Sequence, residues 1–318
     1  MKYMAGIDLG GTNIAVGIVD EQFHILSKVS RKTGLPRPAG QILADAASAV
    51  KDAAQQAGIR MEELSWTGIG SPGIVNSETG LVDYSCNLGF YGQDLRKTLE
   101  QLLNMPLFMD NDANAAAYGE FVAGGAKGVD HAVVITLGTG IGGGIIINRK
   151  IYAGFNFAGA EIGHTVIKQN GRPCNCGRHG CFETYCSATG LVQTTREAMH
   201  KHPESLMWTL CESDLSKVNG RTSFNAMKEG DETARKVVDC FIKDLACGVT
   251  NLINTFAPEI FCIGGGISKE GDILIQPLTK LVNKEVYSRF SERQTKIVAA
   301  KLGNDAGIIG AAALGLQF

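Results

Sequence analysis

A glycine-rich strand–turn–strand unit occurs twice in this chain, and no other feature limits its folding as much. Residues 4–8 and 14–19 read as two short strands around the turn Gly10-Gly11-Thr12-Asn13. In the second strand Ile14, Val16 and Ile18 alternate with Ala15, Gly17 and Val19. Both faces are therefore apolar or small, the pattern of a central strand covered on both sides. The device returns at residues 132–148, where Ile135-Thr136-Leu137-Gly138 matches Ile7-Asp8-Leu9-Gly10 and Ile146-Ile147 matches Ile18-Val19. The two halves read as copies of one unit.

Between the copies the pattern predicts a helix over 39–57, a strand over 66–70, a helix over 94–103 and a strand over 107–109. Such alternation implies α/β layers, with parallel pairing beside the two hairpins. Residues 231–256 carry Val237, Phe241, Leu245, Leu252 and Phe256 at helical spacing, followed by Pro258 and a short strand over 260–263. The stretch 195–228 has weak periodicity and is read as helical pieces, and the small-residue helix 306–316 is expected to pack back onto the first domain. A chain of 318 residues suits about two domains. The expected division sets residues 1–115 with 300–318 against residues 116–299.

Bulk properties narrow the function classes. Net charge is −2 with no basic stripe, which argues against a nucleic-acid or anionic-membrane partner. No run approaches the ~18 uninterrupted apolar residues of a spanning helix. Asp8 interrupts the first apolar run, so no signal peptide is expected and the location is read as cytoplasmic. An odd count of nine cysteines argues against a disulfide framework.

Each glycine turn places a row of backbone N–H groups at one spot, a concavity suited to phosphate. Neither is a Walker A loop. Gly138-Thr139-Gly140-Ile141-Gly142-Gly143 fits G-x-G-x-x-G, but a strand follows it where the dinucleotide fingerprint needs a helix. A third cluster, Gly264-Gly265-Gly266, follows a strand and precedes a helix, and suits a base or ribose lying against backbone. One such cluster is as readily a plain turn; three together point to a nucleotide. Asp8, beside the first turn, suits Mg²⁺ held through water, and is equally an ordinary turn-opening aspartate.

Two further constellations carry chemistry. Asn111-Asp112 lies between a strand and an alanine-rich helix, where either residue is at home as a helix cap. The same position suits a carboxylate that takes a proton from an acceptor hydroxyl, and spacing alone leaves both readings open. His164, Cys174, Cys176 and Cys181 form H-x9-C-x-C-x4-C, a complete tetrahedral set for structural Zn²⁺ with no position left for catalysis. Glu161 and Glu183 flank it.

Asp8-Leu9-Gly10-Gly11-Thr12-Asn13, Leu137 to Gly144, Glu161-Ile162-Gly163-His164 and the run Cys174 to Glu183 together resemble the ROK family of repressors, open reading frames and kinases, over nearly the whole chain. The resemblance implies an actin-like ATPase (ribonuclease H-like) fold, two duplicated α/β domains around a cleft where ATP and sugar meet. It implies an ATP-dependent hexose kinase with Mg²⁺ as cofactor and Asp112 as the catalytic base. Phosphates would lie on Gly10, Gly11, Thr12, Asn13, Gly138, Thr139, Gly140 and Gly142, and adenosine on Gly264, Gly265 and Gly266. Sugar hydroxyls would be held by Asn87, Asn111, Asp112, Glu161, His164 and Glu183, with His164 also binding zinc. The runs Asn87 to Phe90 and Glu183 to Gly190 resemble the glucokinase branch, so glucose is the expected acceptor, with fructose, allose and N-acetylmannosamine as alternatives. A homodimer or higher homo-oligomer is also implied. The family's repressors carry an N-terminal helix-turn-helix module, for which no room is expected because the first strand begins by Met4. A non-catalytic sugar sensor is the remaining rival, disfavoured by the presence of Asp8, Asp112 and all the turn glycines.

Overall fold

Residues 2–317 are described by a computed structural model. The strands, in chain order, are β1 (Tyr3–Leu9), β2 (Asn13–Asp20), β3 (Ile25–Lys32), β4 (Leu64–Ser71), β5 (Ile74–Asn76), β6 (Leu81–Ser85), β7 (Phe90–Asp94) and β8 (Leu107–Asn111). They continue as β9 (Ala132–Leu137), β10 (Ile141–Ile147), β11 (Lys150–Ile151), β12 (Ile260–Gly265) and β13 (Lys296–Ala299). One sheet has the order β3-β2-β1-β4-β8, another the order β11-β10-β9-β12-β13. Place by place the two orders correspond, with the glycine hairpins β1/β2 and β9/β10 at equivalent positions. The duplication read from the strand motifs is thus a duplication of topology.

β1 runs antiparallel to β2 and parallel to β4, and β4 runs parallel to β8. β12 and β13 are likewise parallel. The expected helix over 39–57 is Ala39–Ala57, burying Ile42, Leu43, Ala46, Val50 and Ala53 and stopping at Gly58 in the left-handed region. Asp94 caps the helix Leu95–Leu103 by accepting from the Lys97 N–H at 2.9 Å. The small antiparallel sheet β5-β6-β7 is absent from the sequence reading. Its three to five residues per strand and mixed burial leave no alternation long enough to detect.

The chain divides into two compact units, one of Met1–Ala132, Gly144–Ala160 and Lys301–Phe318, the other of Val133–Gly143 and Glu161–Ala300. Residues 116–132 and 144–160, expected in the second domain, therefore group with the first. The helix Ala306–Ala313 accounts for residues 116–123, and Gly144 lies in turn against Asn114 and Ala117. The helix Ala306–Ala313 packs against β1, β4 and the helix Asp112–Ala123, holding that helix in the first unit. The approach is backbone to backbone. A Cβ at Gly310 would overlap the Ala115 carbonyl oxygen, and one at Gly119 would overlap that of Ala306. Met4, Val19, Ile308 and Ala312 form the buried cluster on this side of the sheet, and the Trp66 indole N–H donates to Ala312 O at 2.8 Å.

In the second unit the helix Glu232–Phe256 starts at Asp231, whose carboxylate accepts from the Ala234 N–H at 2.6 Å. It buries Val237, Phe241, Leu245 and Leu252, as the spacing predicts, while Phe256 at its last turn is half-buried. The weakly patterned stretch resolves into Ala188–Lys201, Leu206–Leu210 and Thr222–Lys228. These helices share a core of Met199, Met207, Cys211, Val218 and Ala226 with Ala234. The third glycine cluster leads into the short 3-10 turn Ile267–Glu270 and then the helix Asp272–Glu285.

Gly310→Ala is expected to destabilise the first unit by about 3 kcal/mol, the upper range for overpacking. Gly40→Ala, with nothing within 4 Å of the added carbon, should be neutral or stabilising by up to about 1 kcal/mol. Urea unfolding of the two variants checks this, and equal midpoints would contradict the helix packing.

Candidate active site

In the first unit the turn after β1 is closed by the Gly10 N–H donating to Asn13 O at 2.9 Å. Thr33, fully buried, braces it twice: its N–H donates to Thr12 O at 2.9 Å and its hydroxyl to Gly10 O at 2.6 Å. Gly11, Thr12 and Asn13 remain exposed. Asn87 sits beside this turn, since a Cβ at Gly11 would lie 3.7 Å from its carbonyl oxygen.

The segment Asp110-Asn111-Asp112 crosses from β8 into the helix Asp112–Ala123. Asn111 is the cap, its Oδ1 accepting from the Ala113 and Asn114 N–H groups at 2.9 and 3.2 Å. Its Nδ2 donates to Gly73 O at 3.0 Å, tying it to the loop between β4 and β5. Asp112, at the first helical position, uses Oδ1 to accept from the Ala113 N–H at 2.9 Å. Capping thus falls chiefly to Asn111. Asp110, which sequence reasoning passed over, is buried and accepts from Asn114 Nδ2 at 2.9 Å and from the Asn111 N–H at 2.7 Å.

Three carboxyls in this unit are pushed up, each chiefly by burial. Asp8 reaches about 6, raised further by the charge of Asp112 and opposed by Lys28. Asp110 also reaches about 6, against the hydrogen bonds from Asn114 and Asn111. Asp112 is raised by burial and held back by backbone hydrogen bonds at Ala113 and at its own N–H. Asp8 lies against the helix Ala306–Ala313, where a Cβ at Gly307 would come 2.6 Å from its carboxylate oxygen.

In the second unit the Gly138 N–H donates to Gly140 O at 3.0 Å, closing the turn between β9 and β10. Glu183 ties this turn to the cysteine cluster. Its Oε2 accepts from the Ile141 N–H at 3.2 Å, while its Oε1 lies 3.4 Å from Cys174 Sγ and 3.7 Å from His164 Nδ1. His164 Nδ1 is 3.6 Å from Cys174 Sγ, and Cys176 Sγ is 3.6 Å from Cys181 Sγ. All four ligand atoms lie within 4.8 Å of one another. A zinc tetrahedron with ~2.3 Å Zn–S bonds has edges of about 3.8 Å, so the donor set and its spacing fit the ion. Glu161 is exposed, immediately before the turn Ile162–His164.

Gly265 requires glycine: its φ is +87° and a Cβ would overlap the Leu137 carbonyl, so this cluster lies against the end of β9. Beside it a cavity of about 390 Å³ is lined by Gly266, Ile267, Glu270, Ala188, Asn219, Gly220 and Arg221. Its size suits a nucleoside. Asn219, Arg221 and Glu270 belong to surface turns with no motif of their own, and Thr33 lies far along the chain from the turn it braces. None of these carried a local signal. The remaining sequence-derived residues fall into two groups. Asp8, Gly10, Gly11, Thr12, Asn13, Asn87, Asn111 and Asp112 are in the first unit; Gly138, Thr139, Gly140, Gly142, Glu161, His164, Glu183, the three cysteines and Gly264 to Gly266 are in the second.

The duplicated sheets and glycine hairpins are those of the actin-like ATPase fold. Residues 4–317 match the ROK family, and the chain belongs to that family. It is 38% identical over 312 residues to a glucokinase of Thermotoga maritima, covering 98% of this chain and 96% of the relative. The structure of a ROK family glucokinase from Streptomyces griseus in complex with glucose and AMPPNP superposes with a TM-score of 0.82 at 33% identity, covering 99% of this chain and 100% of that one. A xylose repressor of Caldicellulosiruptor bescii is 31% identical over 250 residues, 78% of this chain but 61% of the repressor.

The Asp8 shift yields a stability prediction. A carboxyl whose pKa is higher when folded takes up a proton on folding, so its contribution is present at low pH and lost as pH rises through about 6. The rise from 3.8 to about 6 corresponds to about 3 kcal/mol. In metal-free buffer Asp8→Asn should therefore be more stable than wild type at pH 7.5, with the gap closing by about pH 4. Chemical denaturation at the two pH values measures it; a gap independent of pH would show that Asp8 is not held in a disfavoured charged state.

Proposed function

We infer that the protein is an ATP-dependent hexose kinase, and we propose that glucose is its acceptor and glucose 6-phosphate its product. The observation that carries the reading is Asp112, a carboxylate buried enough to be a stronger base than in water and still bearing an oxygen not used in capping. In this role it accepts the proton of the acceptor hydroxyl as that oxygen attacks the γ-phosphorus of ATP and the bond to ADP breaks. Asn111, fixed by Gly73 and by its capping bonds, sets the direction from which Asp112 meets the sugar.

The first unit supplies the base, the turn Gly10 to Asn13, and Asn87, Asn111 and Asp112 for sugar hydroxyls. The second supplies the turn Gly138 to Gly142, the glycines 264–266 with their neighbouring cavity for adenosine, and Glu161, His164 and Glu183 for further hydroxyls. Turn amides offset phosphate charge as it redistributes. Asp8 fits Mg²⁺: it is a half-buried carboxylate whose cationic neighbour Lys28 is paired with Asp305 instead. Bound there through water, the ion would neutralise phosphate charge. His164, Cys174, Cys176 and Cys181 would hold Zn²⁺ in a structural role. With Nδ1 turned to the thiols, His164 keeps Nε2 for a sugar hydroxyl, and a bound ion would fix that ring.

Glucose is favoured over fructose, allose and N-acetylmannosamine because the Thermotoga maritima relative and the ligand-bound Streptomyces griseus structure are both glucokinases. A cytoplasmic, homo-oligomeric enzyme accords with the family resemblance. No helix among the described residues is long and apolar enough to cross a membrane.

ADP release with Mg-ATP across these four sugars tests the reading. Turnover should be greatest on glucose and should fall by roughly 10²–10⁴-fold in Asp112→Ala with folding intact. Unaltered turnover in the variant would dismiss Asp112 as the base; preference for another sugar would overturn only the acceptor. Cys176→Ser should lose its zinc and bind sugar more weakly, and full metal content in that variant would remove Cys176 from the ligand set.

A further inference from the structure

Away from these residues, the first unit holds a cavity of about 530 Å³ whose lining includes none of the residues proposed above for ATP or sugar. Its aromatic wall comes from the far half of the helix that begins at Asp112: Tyr118 and Phe121, each 5% exposed, stack with centroids 5.7 Å apart. Lys127, Arg149 and Lys150 also line it. Arg149 lies 5.8 Å from the Phe121 ring centre and is paired with Asp130 at 3.3 Å. Lys127 and Lys150 have no carboxylate partner among the described residues, and the Tyr118 hydroxyl has no hydrogen-bond partner among them. Asn148 and Arg149 both hold positive φ, 50° and 65°, so the tight turn between β10 and β11 sets Arg149 and Lys150 at the rim.

We propose that this cavity is a binding site for a phosphate monoester, separate from the kinase site. Two uncompensated lysines match the charge of about −1.5 to −2 that a monoester carries at neutral pH. The phenol supplies a donor for a phosphate or hydroxyl oxygen. The volume exceeds what inorganic phosphate needs and lies in the range of small-molecule sites, roughly 300–1,000 Å³. Sugar phosphates and nucleoside monophosphates share this chemistry. Because one helix carries Tyr118 and Phe121 in this cavity and Asp112 at its start, occupancy should register in catalysis.

The test is calorimetric titration of the full-length protein, held in saturating glucose and AMPPNP, with glucose 6-phosphate, AMP and inorganic phosphate in turn. One of the two esters should bind at a single site, and more tightly than inorganic phosphate. Lys127→Met and Lys150→Met should each weaken it roughly tenfold or more, and Tyr118→Phe by a smaller factor. Turnover of the lysine variants without the ester should match wild type. Adding the ester should change kcat at saturating ATP and glucose in wild type alone. Heat from neither ester, tighter binding of inorganic phosphate, or affinities indifferent to both lysines would overturn the site. Binding with kcat unmoved would overturn the link to Asp112. Failure of glucose and AMPPNP themselves to bind would instead count against the kinase reading.

Discussion

Backbone packed on backbone, between the helix Ala306–Ala313 and its neighbours in the first unit, is the constraint on which the rest of that unit depends. Gly310 and Gly119 let two helices meet at their carbonyl groups, and no larger residue fits either place. That approach fixes the helix Asp112–Ala123 and with it Asp112. It also places Gly307 against Asp8, so both acidic residues of the half-site take their positions from one contact. Burial there is what lifts their carboxyls. The interaction that shapes the site is therefore the one that makes its charges expensive, a common coupling where a reactive group must be desolvated.

The second unit answers the same chemical demand in another way. Its glycine turn gains a partner outside the sheet, the carboxylate of Glu183, which also faces the cysteine cluster. One side chain thus relates the turn offered to phosphate and the loop offered to metal. Of the residues proposed to meet a sugar, His164 and Glu183 are consequently placed by the same loop, while Asn111 and Asp112 are placed by a strand and a helix.

Much of this could be read from residue order because the informative elements are long or chemically singular. The helix Ala39–Ala57 and the helix Glu232–Phe256 each sustain one periodicity over many residues, and the hairpin of β1 and β2 is marked by a glycine turn between two apolar runs. The thiol cluster is dense enough to be read as a ligand set, and its four donor atoms do converge. What escaped was set by tertiary contact. Asp110 looks like any aspartate before a helix, and only burial distinguishes it. Thr33 acts on a turn 21 residues upstream. The short sheet β5-β6-β7 has too little pattern to declare itself. The two compact units depart from the division expected from residue order, because glycines in two distant helices announce close packing only once they are seen facing each other.

The helix Ala306–Ala313 follows the whole of Glu161–Ala300 in the chain, yet it completes the first unit. During synthesis the opening sheet must therefore wait, one face bare at Met4 and Val19, while some 140 residues of another unit emerge. Until then Asp8 and the helix Asp112–Ala123 lack the helix that packs against them, so a chain halted before residue 306 carries an incomplete arrangement there. Such a chain presents an exposed apolar sheet face, the kind of surface that chaperones and proteases recognise.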